Sequence, residues 1–371
     1  MIIQPIEYNY PDLRLIKDKT SFFESMKEEY TQYRDTPYFK EGRKPAIFVY
    51  RIQTKTRIYH GILAGVDIGE YTNGNILKHE NTLIEQEKKI IELTRERNAI
   101  IKPVLLAYKF NTRINGYMAK AFLGKRPKLR IKFEKENQIH ELFAVEAKKE
   151  IKAFQKEFNS KVGKAYIADG HHRMSAVNTL ISDHPELKAK GLRYITCALF
   201  SFGELDIFPY NRLIKILDTL DINIILTQLQ RIGTVKKLNK PRLPSKKGEI
   251  IMHSEDGDYA INWHKQLTEG NTNMPVTFDI DIFNQHVVKD IFGITDIRSN
   301  NRIKYFEGNK GNKTLLAGVK LDPMCLGFSF YPVKKNHFIK IANKGLILPP
   351  KSTWFEPRIR NGIVVQKILS E

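Results

Sequence analysis

The chain has 371 residues, of which 42% are hydrophobic and 27% charged, a balance that suits a globular protein of two or three domains with an ample core. No apolar run approaches the ~20 residues that span a bilayer, and the start, Met1-Ile2-Ile3-Gln4-Pro5, lacks the basic-then-apolar pattern of a secretory signal, so a cytoplasmic location is expected. The formal charge of +20 permits a polyanionic partner without favouring one, because the lysines and arginines are scattered and only thicken over 120–135.

In chain order, residues 46–50 and 58–63 read as the two strands of a hairpin, followed by an Asn73-Gly74 turn. Thr82-Leu83-Ile84-Glu85 has capping-box spacing and predicts a helix to about Arg97, with Leu83, Ile84, Ile90, Ile91 and Leu93 available for burial. A short buried strand is expected over 103–108, another over 139–145, and a Lys- and Glu-rich helix over 146–158. The apolar run 165–168 predicts a buried strand that ends at Asp169-Gly170. A helix follows, with Ala176, Val177, Leu180 and Ile181 on one face.

Residues 194–200 form the clearest strand of the second half. The stretch 236–247, rich in Lys, Pro and Ser, reads as a loop or linker. A hairpin over 249–261, a helix over 283–292, a strand over 326–333, a helix over 336–343 and a last strand over 363–365 complete the pattern, with no internal repeat. The class is α/β or α+β with mixed sheets. The expected divisions are 1–44, a helical or irregular segment; 45–235, the core; and 236–371, a second α/β region. Cys197 and Cys325 both lie in apolar surroundings and read as buried free thiols.

Chemistry concentrates at Asp169-Gly170-His171-His172-Arg173, where a buried strand passes through a glycine turn directly into a helix. Unpaired N–H groups and the positive end of the helix dipole favour an anion there. Gly170 lets backbone approach it, Arg173 can fork two phosphate oxygens, His171 and His172 can donate, and Asp169 can orient one of them or help place Mg2+. Zinc is disfavoured because adjacent histidines diverge on a helix and no third ligand stands at useful spacing.

A second cluster, Lys78-His79-Glu80, precedes a helix, so Glu80 could take a proton from a substrate hydroxyl. A third is Pro349-Pro350-Lys351-Ser352-Thr353-Trp354-Phe355-Glu356-Pro357-Arg358, in which Lys351, Ser352 and Thr353 form an anion-friendly group beside aromatic rings. Tyr210-Asn211-Arg212 and the 296–302 stretch, with Arg298 and Arg302, are lesser sources of an arginine, where surface salt bridging is at least as good a reading.

Two of these boxes, Ala168 to Arg173 and Pro349 to Pro357, resemble those of a widespread bacterial family of domains of unknown function, over roughly residues 45–368. They are also similar to free-serine kinases of the ParB–sulfiredoxin superfamily. The resemblance implies a ParB–sulfiredoxin-like core in 45–235, elaborated by an inserted segment and closed by the late box.

It further implies ATP or ADP as phosphate donor with Mg2+, and a small hydroxylated metabolite as acceptor. Asp169, Gly170, His171, His172 and Arg173 would handle the phosphates. Glu80 would act as base beside His79, and Lys351, Ser352, Thr353 and Arg358 would hold the acceptor. Trp354 and Phe355 stand where those kinases carry Arg and His, so the phosphate-handling half of the resemblance is the firmer. The alternatives are a non-catalytic, ParB-like nucleotide-dependent protein associated with nucleic acid, and a metal-dependent phosphohydrolase.

Overall fold

The computed structural model describes residues 1–368 except 190, 218–219, 270–274 and 298. The chain divides into two compact units, Met1–Asp206 with Pro357–Glu371, and Ile207–Glu356. These units differ from the expected division at 235/236. The Lys- and Pro-rich stretch is a loop that links two strands of one sheet within the second unit, so its composition marks a surface connection and not a domain boundary. The expected break at 44/45 likewise falls inside the first unit.

The first unit is built on a mixed nine-stranded sheet. Its strands are β1 (Ile3–Gln4), β2 (Ile47–Gln53), β3 (Ile58–Asp67), β4 (Ile76–Leu77), β5 (Val104–Tyr108), β6 (Leu129–Phe133), β7 (Gln138–Val145), β8 (Ala165–Asp169) and β9 (Tyr194–Ser201). The spatial order is β4-β8-β5-β9-β3-β2-β7-β6, with β1 also paired to β3. β2 and β3 form the expected hairpin, longer than the sequence suggests, and β9 lies antiparallel along β3 from Tyr194↔Asp67 to Phe200↔Gly61. A Cβ on Gly61 would lie 2.7 Å from the Phe200 ring, so only glycine lets the two strands close there.

Helices α1 (Lys19–Tyr33), α2 (Ile84–Arg97), α3 (Thr112–Phe122), α4 (Lys148–Lys161) and α5 (His171–Asp183) belong to this unit. α3 buries Ile114, Met118 and Ala121, α4 buries Ile151, Phe154 and Phe158, and α5 buries Met174, Val177, Leu180 and Ile181. The three- and four-residue spacings put each set on one face, and they join strand residues such as Val104, Leu106, Ile167 and Leu199 in a single core.

α2 departs from expectation. Its N-cap is Leu83, without a side-chain cap, in place of Thr82. Leu83 and Ile84 are exposed, and Ile90, Ile91 and Leu93 only half-buried. The helix packs on α5, and the Leu83 N–H at its cap is met by His172 of that neighbour rather than by a box within its own sequence. At the other end of the chain the expected strand over 363–365 is reduced to a bridge at Val365 and the two-residue strand Gln366–Lys367.

The second unit carries a six-stranded antiparallel sheet of β10 (Tyr210–Lys215), β11 (Gly233–Leu238), β12 (Glu249–Ser254), β13 (Gly257–Trp263), β14 (Ile303–Glu307) and β15 (Cys325–Phe330), in the order β11-β13-β12-β15-β10-β14. Helices α6 (Ile222–Gln230), α7 (Lys313–Leu321) and α8 (Lys335–Asn343) flank it. The expected helix over 283–292 begins earlier, at Asp279, and widens into π-helical turns over Phe283–Lys289. Both cysteines are free and buried. Among the described residues no helix is long and apolar enough to cross a membrane.

Candidate functional site

Sheet topology explains why distant residues meet in the first unit. β4 runs parallel to β8, with Ala165 opposite Ile76 and Tyr166 opposite Leu77, so Lys78-His79-Glu80 leave the sheet beside the outgoing end of β8. β5 runs antiparallel to β8 with Asp169 opposite Leu105, so Lys102 and Pro103, just before β5, arrive at the same end. A register irregularity between Ile167 and Asp169 re-aims the end of β8 before the turn.

Gly170 makes that turn at φ +104° and is the N-cap of α5. No side chain caps this helix end, which leaves its leading amide hydrogens directed outward together with the positive end of the dipole. The missing Cβ matters twice. The backbone angle disfavours any other residue, and an added Cβ would lie 2.6 Å from Nη2 of Arg173 and 3.0 Å from its Nε. Gly170→Ala is therefore expected to cost about 1–2 kcal/mol of stability and to push the guanidinium aside. A thermal melt reads the first effect, and a melt equal to that of the parent would contradict it.

Asp169 is ringed by cations. Its Oδ2 accepts from Nη2 of Arg173 at 3.0 Å and lies 3.2 Å from Nζ of Lys102, and its Oδ1 lies 3.5 Å from Nη1 of Arg358. Burial would raise the Asp169 pKa, but Arg173, Lys102 and Arg358 together hold it well below the usual carboxylate range. Burial brings Lys102 down to about 8, against the pull of Asp169. Three cations around one carboxylate leave an excess of two positive charges. Nε of Arg173 is buried and has no hydrogen-bond partner, and Nη2 also reaches the Pro103 carbonyl at 3.4 Å. The surplus charge, the unpartnered Nε and the uncapped helix start are features that suit an anion.

This arrangement does not fit the Mg2+ expected at Asp169. Both carboxylate oxygens already face cations, and a further cation would meet net repulsion. Among the described residues no group of three or more His, Cys, Asp or Glu is placed to hold a metal.

The histidines divide by role. His79 and His171 are 2% and 6% exposed, with rings edge to face at 4.4 Å and Nε2 of His171 3.2 Å from Nδ1 of His79. Burial drives His79 well below its usual pKa and His171 down to about 3, so both rings are neutral. A ring nitrogen of His79 also hydrogen-bonds the Ile167 carbonyl, and the His79 backbone N–H points to Nε2 of His171 at 3.5 Å. Nδ1 of His171 lies 3.9 Å from Oε2 of Glu80.

The imidazole of His171, expected to donate to phosphate, is thus turned inward. Its backbone N–H, at the first position of α5, is what remains for the anion. His172 accepts the backbone N–H of Leu83 at 3.1 Å through Nε2, tying the start of α5 to that of α2, and its Nδ1–H is left as the ring's donor. Glu80 is one-third exposed and sits at the mouth of the cluster.

Buried neutral histidines also set the acid stability of the unit. His140, held by the Tyr50 hydroxyl at 2.6 Å, is lowered to about 3 by burial and by Arg360. A folded pKa below the unfolded value of ~6.5 means that the unfolded chain binds the proton first. Stability is full above pH ~6.5 and falls as the pH drops toward 3, by roughly 2 kcal/mol for His140 alone at pH 5. Melts at pH 7.5 and pH 5 should show this loss, and a His140→Phe variant should show less of it.

Of the late box, Arg358 belongs to the first unit and pairs with Asp169. Lys351, Ser352 and Thr353 belong to the second. There the Lys351 ammonium lies 5.1 Å over the Tyr210 ring, Ser352 donates to the Pro349 carbonyl at 2.5 Å, and Thr353 is buried. Arg212, for which the sequence left open an anion-binding role and a surface salt bridge, is wholly buried. It lies in the buried run Asn211 to Ile214 of β10, a strand paired on both sides, which no local pattern reveals. Arg302 hydrogen-bonds the Lys215 and Phe292 carbonyls, and Arg298 lies outside the described residues. Lys102 went unnoticed in sequence, since nothing around it suggests a role.

A family model described as a protein of unknown function (DUF1015) matches residues 6–283. No curated protein sequence matches the chain. Solved structures similar to it include SbnI with a C-terminal truncation from Staphylococcus aureus, 12% identical with a TM-score of 0.43 over 81% of this chain and 87% of that one. A mutant free serine kinase in complex with AMP is 13% identical with a TM-score of 0.39, over 82% and 90%. A conserved hypothetical protein from Pyrococcus furiosus is 14% identical with a TM-score of 0.38, over 82% and 95%.

Proposed function

The chain belongs to the DUF1015 family of proteins of unknown function, and we propose that its first unit is a nucleotide-dependent phosphotransferase that acts on a hydroxyl of a small metabolite. The observation that carries this reading is the uncapped start of α5 beside a cluster whose three cations exceed its one carboxylate. Such a place suits the terminal phosphate of ATP or ADP, whose oxygens would take the backbone N–H groups of His171 to Arg173 and the open side of the Arg173 guanidinium.

Glu80 supplies the base. The acceptor hydroxyl gives its proton to the Glu80 carboxylate as its oxygen forms the new bond to phosphorus. The bond from phosphorus to the bridging oxygen breaks, and ADP or AMP leaves with that electron pair. The imidazole of His171 stands beside that carboxyl, with Nδ1 3.9 Å from Oε2. Lys102, Arg173 and Arg358 oppose the charge that gathers on the phosphoryl oxygens. Catalysis of this kind is positioning and charge stabilisation, so few groups need react. No step is assigned to Mg2+.

The test is transfer of labelled terminal phosphate from ATP and from ADP into pooled hydroxylated metabolites, L-serine among them, with and without added Mg2+. Label in one organic acceptor supports the proposal. Label released only as free phosphate points to a hydrolase. Neither outcome, together with salt-sensitive DNA binding, points to a nucleotide-dependent DNA-associated protein.

A further inference from the structure

The second unit holds a cavity that the nucleotide reading does not use. Tyr210, Phe278 and Phe330 give it aromatic walls, and Lys247, Lys334 and Asp279 give it charge. His337 also lines it, and its pKa is lowered by burial and then by Lys247, Lys334 and Lys340, which places those ammoniums around one ring. Lys351 adds a further ammonium over the Tyr210 ring. The carboxylate of Asp279, 6% exposed, is already occupied. It accepts the Gly248 N–H at 2.9 Å, and it faces the Trp263 side chain and Lys247. Among the lining residues, Lys247 and Lys334 against Asp279 leave one positive charge in surplus.

A second, independent feature has the same sign. Arg212 is wholly buried behind the Phe330 wall, its guanidinium carbon 5.2 Å from that ring, 5.4 Å from Tyr305 and 5.5 Å from Phe283. The Tyr305 hydroxyl and the Asp281 carboxylate face its charge, but none of its three nitrogens makes a hydrogen bond of good geometry. A buried guanidinium held mainly by aromatic faces is costly to keep, and in low dielectric its field reaches well beyond one ring.

From these observations we infer that the second unit binds a small molecule made of a flat apolar ring and one anionic group, with the ring against Tyr210 and Phe330 and the anion toward Lys247 and Lys334. This goes beyond the phosphotransferase reading and stands or falls separately from it.

The chain's two tryptophans both neighbour residues that line this cavity: Trp263 faces Asp279, and Trp354 lies 5.6 Å from the Tyr210 ring. Tryptophan emission of the full chain would be followed during titration with phenylacetate, phenyl phosphate, neutral phenylacetamide and acetate. The expected result is a saturable change with a ring-bearing anion and none with phenylacetamide or acetate. The tighter of the two anions identifies the head group as carboxylate or phosphate. Lys334→Met should weaken that binding by about tenfold or more with an unchanged melt, while ADP binding persists. No saturable change with either ring anion, equal binding of phenylacetamide, or undiminished binding by Lys334→Met would overturn the inference. None of those results bears on the first unit.

Discussion

Arg173→Ala should weaken ATP or ADP binding by about 30- to 100-fold, the loss of one charge-assisted, forked contact worth roughly 2–3 kcal/mol. The fold should survive the change, because Asp169 keeps Lys102 and Arg358 as partners. Arg173 is one of the three charges that turn the end of β8 positive, and its Nε points at no protein acceptor. Arg173→Lys should recover part of the affinity through charge alone, without the second donor of the fork. Calorimetric titration with ADP measures all three proteins. Equal affinity in the alanine variant would place the phosphates elsewhere.

Glu80→Gln should lower the rate of phosphoryl transfer by about 10²- to 10⁴-fold, the usual contribution of a positioned base, and leave the nucleotide dissociation constant almost unchanged. The amide keeps the shape and the hydrogen-bonding reach of the side chain but cannot take the proton. Its neighbour cannot replace it well, since burial holds His171 neutral and its ring is fixed through His79 to the Ile167 carbonyl. Single-turnover transfer separates the two quantities. A variant that turns over at the parental rate would remove Glu80 from the chemistry.

The parts of this site that were legible in the sequence are local ones. A five-residue apolar strand, a glycine and a helix with Ala176, Val177, Leu180 and Ile181 on one face can be read without any tertiary knowledge, and they are present. The hairpin of β2 and β3 is of the same kind. What could not be read depends on strands far apart in the chain. Lys102 reaches Asp169 only because β5 runs antiparallel to β8, and His79 is buried only because β4 runs parallel to it.

The inward turn of His171 follows from that second pairing, so a residue suited to phosphate by type is committed to a neighbouring ring by position. Arg212 makes the same point in the second unit, where a buried charged side chain sits among aromatic faces. The capping box at Thr82 was misleading because tertiary contact from His172 shifts the helix start by one residue.

The central claim is that the amides at the start of α5 hold nucleotide phosphate. Backbone ¹H–¹⁵N shifts of the labelled protein, followed as ADP or ATP is added, address it residue by residue. The account predicts that Gly170, His171, His172 and Arg173 show the largest movements and saturate together with the calorimetric constant. Saturating nucleotide that leaves those four amides unmoved while others shift would contradict it.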